Sequence, residues 1–445
     1  MAVAVPIIIQ NFITNFVSLL DNIMVGQVGT APMSGVAIVN QLLFVFQLCI
    51  FGAVSGGGIF TAQFYGSCDK EGIRRTFQFK LYAGISLTAL GVCLFSLWGA
   101  PLIGLYLNGE GSATEIQATL THGLSYLKIM LWGLLPFALA SAYSSTLRET
   151  GETVVPMVAG ICAVGINLIL NYIFIFGHFG APALGVNGAA IATVISRYAE
   201  LAIVMIWSHT HKQKVPYIAG LYRSFRIPGK LLKQIFLCAT PLMMNESLWS
   251  LGMAILNQCY SVRGLDVVAA VNISSTVFNL CSVIYLSMGS VMSILLGRLL
   301  GANAEEETVR DSFRKIVAMS VGSCFIMALV MIALSGVFPI IYNTSDSVRS
   351  LAGSLICISA CFMPFNAYVH SVYFAMRSGG KTMITFLFDS GFMWFASVPL
   401  ALCLSRFTTL PILPLYAICL SVDLAKCLIG GLLIRGKGWM QNLTQ

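Results

Sequence analysis

Among the few carboxylates and amides inside long apolar runs of this 445-residue chain, Asp21, Glu246 and Asp389 have no i,i+3 cationic partner, and their types and spacing bear on chemistry. Asp21 is the one charge in Val5–Gly29, VPIIIQNFITNFVSLLDNIMVGQVG. An ionised group in hydrocarbon costs at least ~3 kcal/mol, so its retention implies a use. It can exchange a proton with its surroundings, or hold a packing hydrogen bond to a neighbour such as Asn22. Asn167 and Asn171 are one helical turn apart, so both amides point the same way. Interhelical amide bonds worth ~0.6 kcal/mol each would also account for them. Asn245 and Glu246 follow Pro241 in a second apolar stretch, and Asp389 falls a few residues in from Thr382. Asp389 reads as a cation ligand or as a helix-end residue paired with a neighbour. His370 reads as a satisfied buried histidine.

Helices must position these groups. At ~1.5 Å per residue, Val5–Gly29 is long enough to cross a bilayer core of ~30 Å. The stretch also recurs. An offset of 235 carries Pro6 to Pro241, Gln10 to Asn245, Asn22 to Asn257, Gly29 to Gly264 and Gly66 to Gly301. Further on the offset becomes 229, and Arg148-Glu-Thr-Gly-Glu-Thr153 matches Arg377-Ser-Gly-Gly-Lys-Thr382, a doubled RxxGxT turn. The same offset lays Arg197 on Lys426. The chain is therefore a duplication whose two copies each open with a proline-bearing helix, and Pro6 and Pro241 are the expected hinges.

Hydrophobic residues make up 57% of the chain and charged residues 9%, with a mean hydropathy of +0.85, against about 25% charged in soluble domains. Long apolar runs with short polar breaks argue for helices over a barrel. The expected fold is an all-α integral membrane protein of twelve transmembrane helices in two pseudo-symmetric six-helix bundles. The spans fall near 4–26, 34–65, 79–107, 119–147, 154–177, 187–208, 233–262, 267–299, 315–341, 351–376, 382–405 and 413–435. The basic break at 209–232 divides an N-terminal lobe, 1–208, from a C-terminal lobe, 233–445. Two parallel repeats place a substrate site between halves, as in some secondary transporters.

The formal net charge is +8, and its placement is more informative than its size. Lys70, Arg74, Arg75 and Lys80, then Arg148, then Lys212 to Lys233, then Arg298 to Lys315, Arg377 with Lys381, and Arg435 with Lys437 all fall in alternate breaks. This asymmetry predicts cytoplasmic placement for those breaks and for both termini, in the inner (plasma) membrane. Charges spread over so many separate loops argue against a nucleic-acid surface. The thirteen cysteines lack paired or zinc-type spacing and read as packing. No HExxH or GxSxG motif occurs, so an enzyme is not expected. Arg197 with Glu200 and Asp423 with Lys426 are spaced as i,i+3 ion pairs bracing each lobe. The N-terminus lacks a charged leader and reads as a first span.

The chain resembles the MATE family, the multidrug and toxic compound extrusion transporters, in its bacterial NorM and DinF-like form. The resemblance runs over essentially the full length. It is carried by Pro6 with Asp21-Asn22 and VGQVG, by the doubled RxxGxT turns, by Asn167-Leu-Ile-Leu-Asn171-Tyr-Ile-Phe-Ile-Phe-Gly, and by LGVNGAAIATVISR at 184–197. It implies a V-shaped pair of lobes and a cation-coupled antiporter, driven by Na⁺ or H⁺, that exports small, mostly cationic compounds. It also implies that Asp21, with Asn167 and Asn171, takes part in cation coupling, although relatives often carry an aspartate where this chain has Asn171. The resemblance further implies that a glutamate in the seventh span contributes to cation or substrate binding, which points to Glu246. The NorM branch has an aspartate in the tenth span, where this chain reads Asn366, Tyr368 and His370. Asp389 is expected to take over that role, forming with Glu246 and Asn245 a substrate or second cation site.

The only metal expected is Na⁺, at Asp21 or at Glu246 and Asp389, and no cofactor beyond the coupling ion. The expected partners are the lipid bilayer and a small-molecule substrate, with no nucleic acid, and the protein is expected to work as a monomer. The alternative function is a flippase for a lipid-linked sugar or related lipid. A pyrophosphate-bearing lipid needs cations lining its path, and here the few membrane cations have carboxylate neighbours.

Overall fold

The computed structural model describes residues 3–107, 113–223, 226–342 and 344–444, apart from the side chains at 18, 19, 22, 23, 30, 31, 113 and 265. The proposed Asp21–Asn22 bond therefore lies outside the described residues. Among those described there is no strand, and the chain runs through twelve long helices. These are α1 (Ala4–Gly26), α2 (Thr30–Gly66), α3 (Lys70–Gly104), α4 (Ala113–Met130, continuing through a 3₁₀ turn into Leu134–Glu149), α5 (Val154–Phe176) and α6 (Val186–Thr210). In the second repeat they are α7 (Gly229–Ser261), α8 (Leu265–Gly301), α9 (Glu306–Leu334), α10 (Asp346–Ser378), α11 (Thr382–Phe407) and α12 (Ile412–Arg435). Ten of them are long and apolar enough to cross a membrane by length and composition, the other two being α1 and α7, which carry Asp21 and Glu246.

α3 and α9 begin nine residues earlier than the apolar runs predict, at Lys70 and Glu306 instead of 79 and 315. Their first turns are too charged to read as membrane span. They are held as helix by i,i+4 pairs at matching places, Glu71 with Arg75 (3.2 Å) and Glu306 with Arg310 (2.9 Å). Lys80, grouped by sequence with a polar break, is inside α3 and fully buried, and its ammonium is paired with Glu149 and lies 3.2 Å from Thr146 Oγ1.

The chain divides into two compact units, one of residues 1–61 and 69–239, the other of 62–68 and 240–445. In the first, α1 packs on α5, α5 on α6, and α4 on both α3 and α6, around Val39, Phe46, Ile50, Leu127 and Ala190. The described part of segment 209–232 is no free tether between lobes. Val215, Tyr217, Ile218 and Leu221 are buried, and α3 grips the strand of chain through Arg74 to Tyr217 O (3.3 Å) and Gln78 to Leu221 O (2.7 Å). Residues 224 and 225 of the segment lie outside the described ones.

In the second unit α10 packs on α8, α9 and α12 around Cys281, Met331, Ile356 and Met363. The chain after α12 folds back under it. Buried Gln63 donates to Ser378 O (2.9 Å) and Gln441 O (3.0 Å) and accepts from Leu443 N (2.7 Å). At the end of α2, Gly66 faces the Arg298 carbonyl of α8 while Gly301 of α8 faces the Gln63 carbonyl, with Gly297 against Ala62. In both units large apolar side chains such as Leu97, Trp98, Phe395 and Leu428 point outward, as a lipid-facing surface requires.

The duplication extends to single hydrogen bonds. Gly29 and Gly264 both have positive φ (+132° and +117°), as do Cys68 and Asn303 (+59° and +53°), each pair 235 apart. The two RxxGxT turns close identically. Glu152 N donates to Leu147 O (2.9 Å) and Lys381 N to Met376 O (3.2 Å), with Gly151 and Gly380 at φ +104° and +76°. This is a glycine-terminated helix end in which the i+5 amide caps an orphan carbonyl.

Candidate functional site

In the first unit, α1, α5 and α6 bring the predicted residues together. Asn171 Nδ2 donates to Asp21 Oδ1 at 2.8 Å and lies 3.2 Å from Asn167 Oδ1. Thr193 of α6 bonds the Asn167 amide at 3.2 Å. With the Asn167 amide turned over, the orientation its neighbours' polarity favours, its nitrogen lies 2.9 and 3.0 Å from the two Asp21 oxygens and its oxygen accepts from Thr193. Asp21 is thus cradled by two amide donors. Asn167 and Asn171 are buried, at 6% and 1% exposure, while Asp21 is half-buried.

Arg197, one turn beyond Thr193 on α6, acts on the Asp21 charge and also faces Glu200 (3.4 Å) and the Phe137 ring (5.0 Å). Tyr126 of α4 feels both charges and reaches Asn40 of α2 at 3.4 Å. One atom is left over: Asn171 Oδ1 is buried and has no donor among the described residues. Thr193, Tyr126 and Asn40 were not picked out by sequence. The signal for Thr193 was its i,i+4 spacing from Arg197, which puts both on one helix face.

The second unit holds a different cluster. Asn245 of α7, 2% exposed, donates to Asp389 Oδ2 (3.1 Å) and to Tyr373 OH (3.3 Å), and its carbonyl accepts from Ser390 Oγ (2.7 Å). Asp389 lies on a π-helical turn of α11, Leu387–Gly391, a departure from regular helix that recurs at functional sites. Its other oxygen accepts from Lys426 Nζ of α12 at 2.7 Å. This corrects the expected pairing, since Lys426 reaches across to α11 and not to Asp423 on its own helix. Asp389 is therefore a compensated carboxylate.

Glu246 does not join it by a hydrogen bond. Neighbours on a helix are about 100° apart, so with Asn245 turned to α11 Glu246 must turn elsewhere. It feels the charges of Arg377 and Asp389 but makes no hydrogen bond or ion pair among the described residues. His370 sits against Tyr285 (4.8 Å between ring centres) and Tyr373, in an aromatic setting.

The two prolines expected to be hinges are placed unequally. Pro241 is inside α7, where it removes an intrahelical hydrogen bond, whereas Pro6 occupies the first turn of α1, where the missing N–H breaks none. No group of three His, Cys, Asp or Glu side chains converges among the described residues. The oxygens near Asp21 are of the kind a hard cation takes.

Repeated helical units, lipid-facing apolar surfaces and a buried polar cluster in each unit define a multi-pass membrane transporter. The MatE family profile matches residues 6–173 and 241–402, and the chain belongs to that family. Its members are transporters, so this is a transporter and not an enzyme. Among similar proteins is "Probable multidrug resistance protein NorM" of Thermotoga maritima, 24% identical over 416 residues that cover 92% of this chain and 86% of that protein. Another is "Probable multidrug resistance protein YoeA" of Bacillus subtilis, 26% identical, covering 92% and 87%. A solved structure of an outward-facing multidrug resistance MATE family transporter superposes with a TM-score of 0.88 at 18% identity, covering 98% of this chain and 94% of that one. It bears out the twelve-helix fold.

Proposed function

We propose that the protein is an antiporter of the inner membrane that exports small, mostly cationic organic compounds in exchange for Na⁺ or H⁺, working as a monomer with both termini cytoplasmic and without a cofactor. The observation that carries this is the buried oxygen of Asn171, which has no donor among the described residues and lies beside a carboxylate that already accepts from amides. A buried acceptor left unmade costs ~1–3 kcal/mol. A sodium ion beside Asp21 would give that oxygen a partner, and a proton on Asp21 would do so with the Asn171 amide turned over; either would cancel the carboxylate's field at the same time. Asp21, Asn167 and Asn171 are then the coupling site.

Glu246, without a fixed cation partner, is the group to meet a cationic substrate or a second coupling ion, while Asn245 and Asp389 hold the helices around it. The membrane cations Lys80, Arg197 and Lys426 each have a carboxylate partner, which speaks for a cationic substrate over a lipid-linked pyrophosphate. A coupling ion drives export only as far as it changes substrate affinity.

Substrate efflux from proteoliposomes under separately imposed Na⁺ and H⁺ gradients names the ion. Asp21→Asn should abolish gradient-driven export while the protein still reaches the membrane, and any residual substrate binding should lose its dependence on pH or Na⁺. Wild-type pumping by Asp21→Asn together with loss in Glu246→Gln would move the coupling role to Glu246.

A further inference from the structure

We infer that the groove between α2, α8 and α9 is a binding site for an anionic phospholipid, with its phosphate at Arg298 and Lys315 and an acyl chain along Leu295, Leu299 and Ile316. The groove has a volume of about 590 Å³ and belongs wholly to the second unit. It lies where α2 and α8 end and α9 begins, so apolar helix gives way to polar chain along its length. Arg298 is in the last turn of α8, its guanidinium over the Tyr65 ring at 4.8 Å. Ser312 adds a hydroxyl. Gly66 and Ala302 also line it, at the close crossing of α2 and α8.

Two cations at the rim of an apolar wall, with an aromatic ring at the boundary, match a lipid's divided chemistry. A guanidinium takes phosphate oxygens in pairs, and basic pockets between transmembrane helices take anionic headgroups. A soluble anion would leave the leucine wall uncovered.

The internal repeat supplies an independent argument. Lys315 is 235 residues after Lys80. In the first unit that lysine is buried and bound to Glu149; an offset of 229 carries Glu149 to Ser378, which has no charge. Lys315 has been released from the structural pair. Its side chain is 73% exposed, and its one ion pair among the described residues is with Asp311 of its own helix at 2.6 Å.

The test reads lipid binding without transport, so its failure leaves the antiport proposal standing. Delipidated protein in nonionic detergent is titrated with dioleoylphosphatidylglycerol, dioleoylphosphatidylcholine or inorganic phosphate. The readouts are the thermal midpoint and lipid adducts in native mass spectra. Phosphatidylglycerol alone should raise the midpoint and form the adduct, in wild type and in Lys230→Gln, a surface control. In Arg298→Gln and in Lys315→Gln half-saturation should shift by roughly fivefold each. Lys315→Gln changes an exposed side chain, so its folding is not at issue. Equal titrations of wild type and Lys315→Gln, equal protection by phosphatidylcholine, or protection by phosphate alone would each overturn the assignment.

Discussion

Removing the Asp389 carboxylate leaves the Lys426 ammonium buried among Phe388 and Phe392 with its one hydrogen-bonded anion gone. Breaking one side of a buried pair costs about 3–5 kcal/mol, whereas replacing both sides by neutral groups is often neutral. Asp389→Asn and Lys426→Met should therefore each lower the thermal midpoint, and the double variant should recover most of it. If Asp389→Asn keeps its stability but changes the response to the coupling ion, Asp389 is a ligand and not a brace. This pair was hidden in the sequence for a simple reason. Its partners are 37 residues apart on different helices, and Asp423, three residues from Lys426, offered a nearer and wrong candidate. Lys80 was hidden differently, since the charged opening turns of α3 have the composition of a loop. Asp21, Asn167 and Asn171 were legible because polar residues in apolar runs are few, and one-turn spacing fixes their common face.

At the scale of elements, the two RxxGxT turns illustrate what a repeat preserves. The glycine at the fourth position of each, Gly151 and Gly380, takes a positive φ that a side chain opposes, so Gly151→Ala should cost about 1–2 kcal/mol. Gly380→Ala should cost more, because its Cβ would also press into the Leu443 side chain at 2.5 Å. Both variants should show reduced protein level or midpoint with an unchanged ranking of exported compounds. Selective loss of one compound would mean that these turns touch substrate. Helix ends at this precision were readable because glycine in a special conformation leaves a mark that recurs at a constant offset. The strap at 211–223 was not readable, since its burial depends on Arg74 and Gln78 of α3, far away in sequence.

For the whole molecule, charge asymmetry predicts that the α5–α6 turn is outside and the segment after α6 inside. In a background of unreactive native cysteines, Phe179→Cys should react with an impermeant thiol reagent applied to intact cells, and Lys212→Cys should not. Both positions are exposed, so access to the side of the membrane decides the result. The reverse pattern would invert the topology. Ten of the helices were legible from apolar length, and α1 and α7 also from the repeat that lays Pro6 on Pro241. The electrical divergence of the halves was legible in part: Asp21 maps to Leu256 and Glu246 to Asn11, so neither acid has an acidic counterpart. What each acid touches was not, because contacts between helices leave no periodic trace.

The crossing of α2 and α8 carries a further consequence. Gly66, Gly297 and Gly301 meet a carbonyl, a methyl group and a carbonyl where any Cβ would stand, so nothing there can yield by changing rotamer. Such a crossing has no reserve of mutational tolerance. In a saturation library selected for survival under a toxic compound, these three positions should be as depleted of substitutions as Asp21, though for a different reason. Asp21 variants should be missing because they do not pump, and the glycine variants because the chain never reaches the membrane intact. A fluorescent fusion that reports protein level would separate the two classes in one experiment.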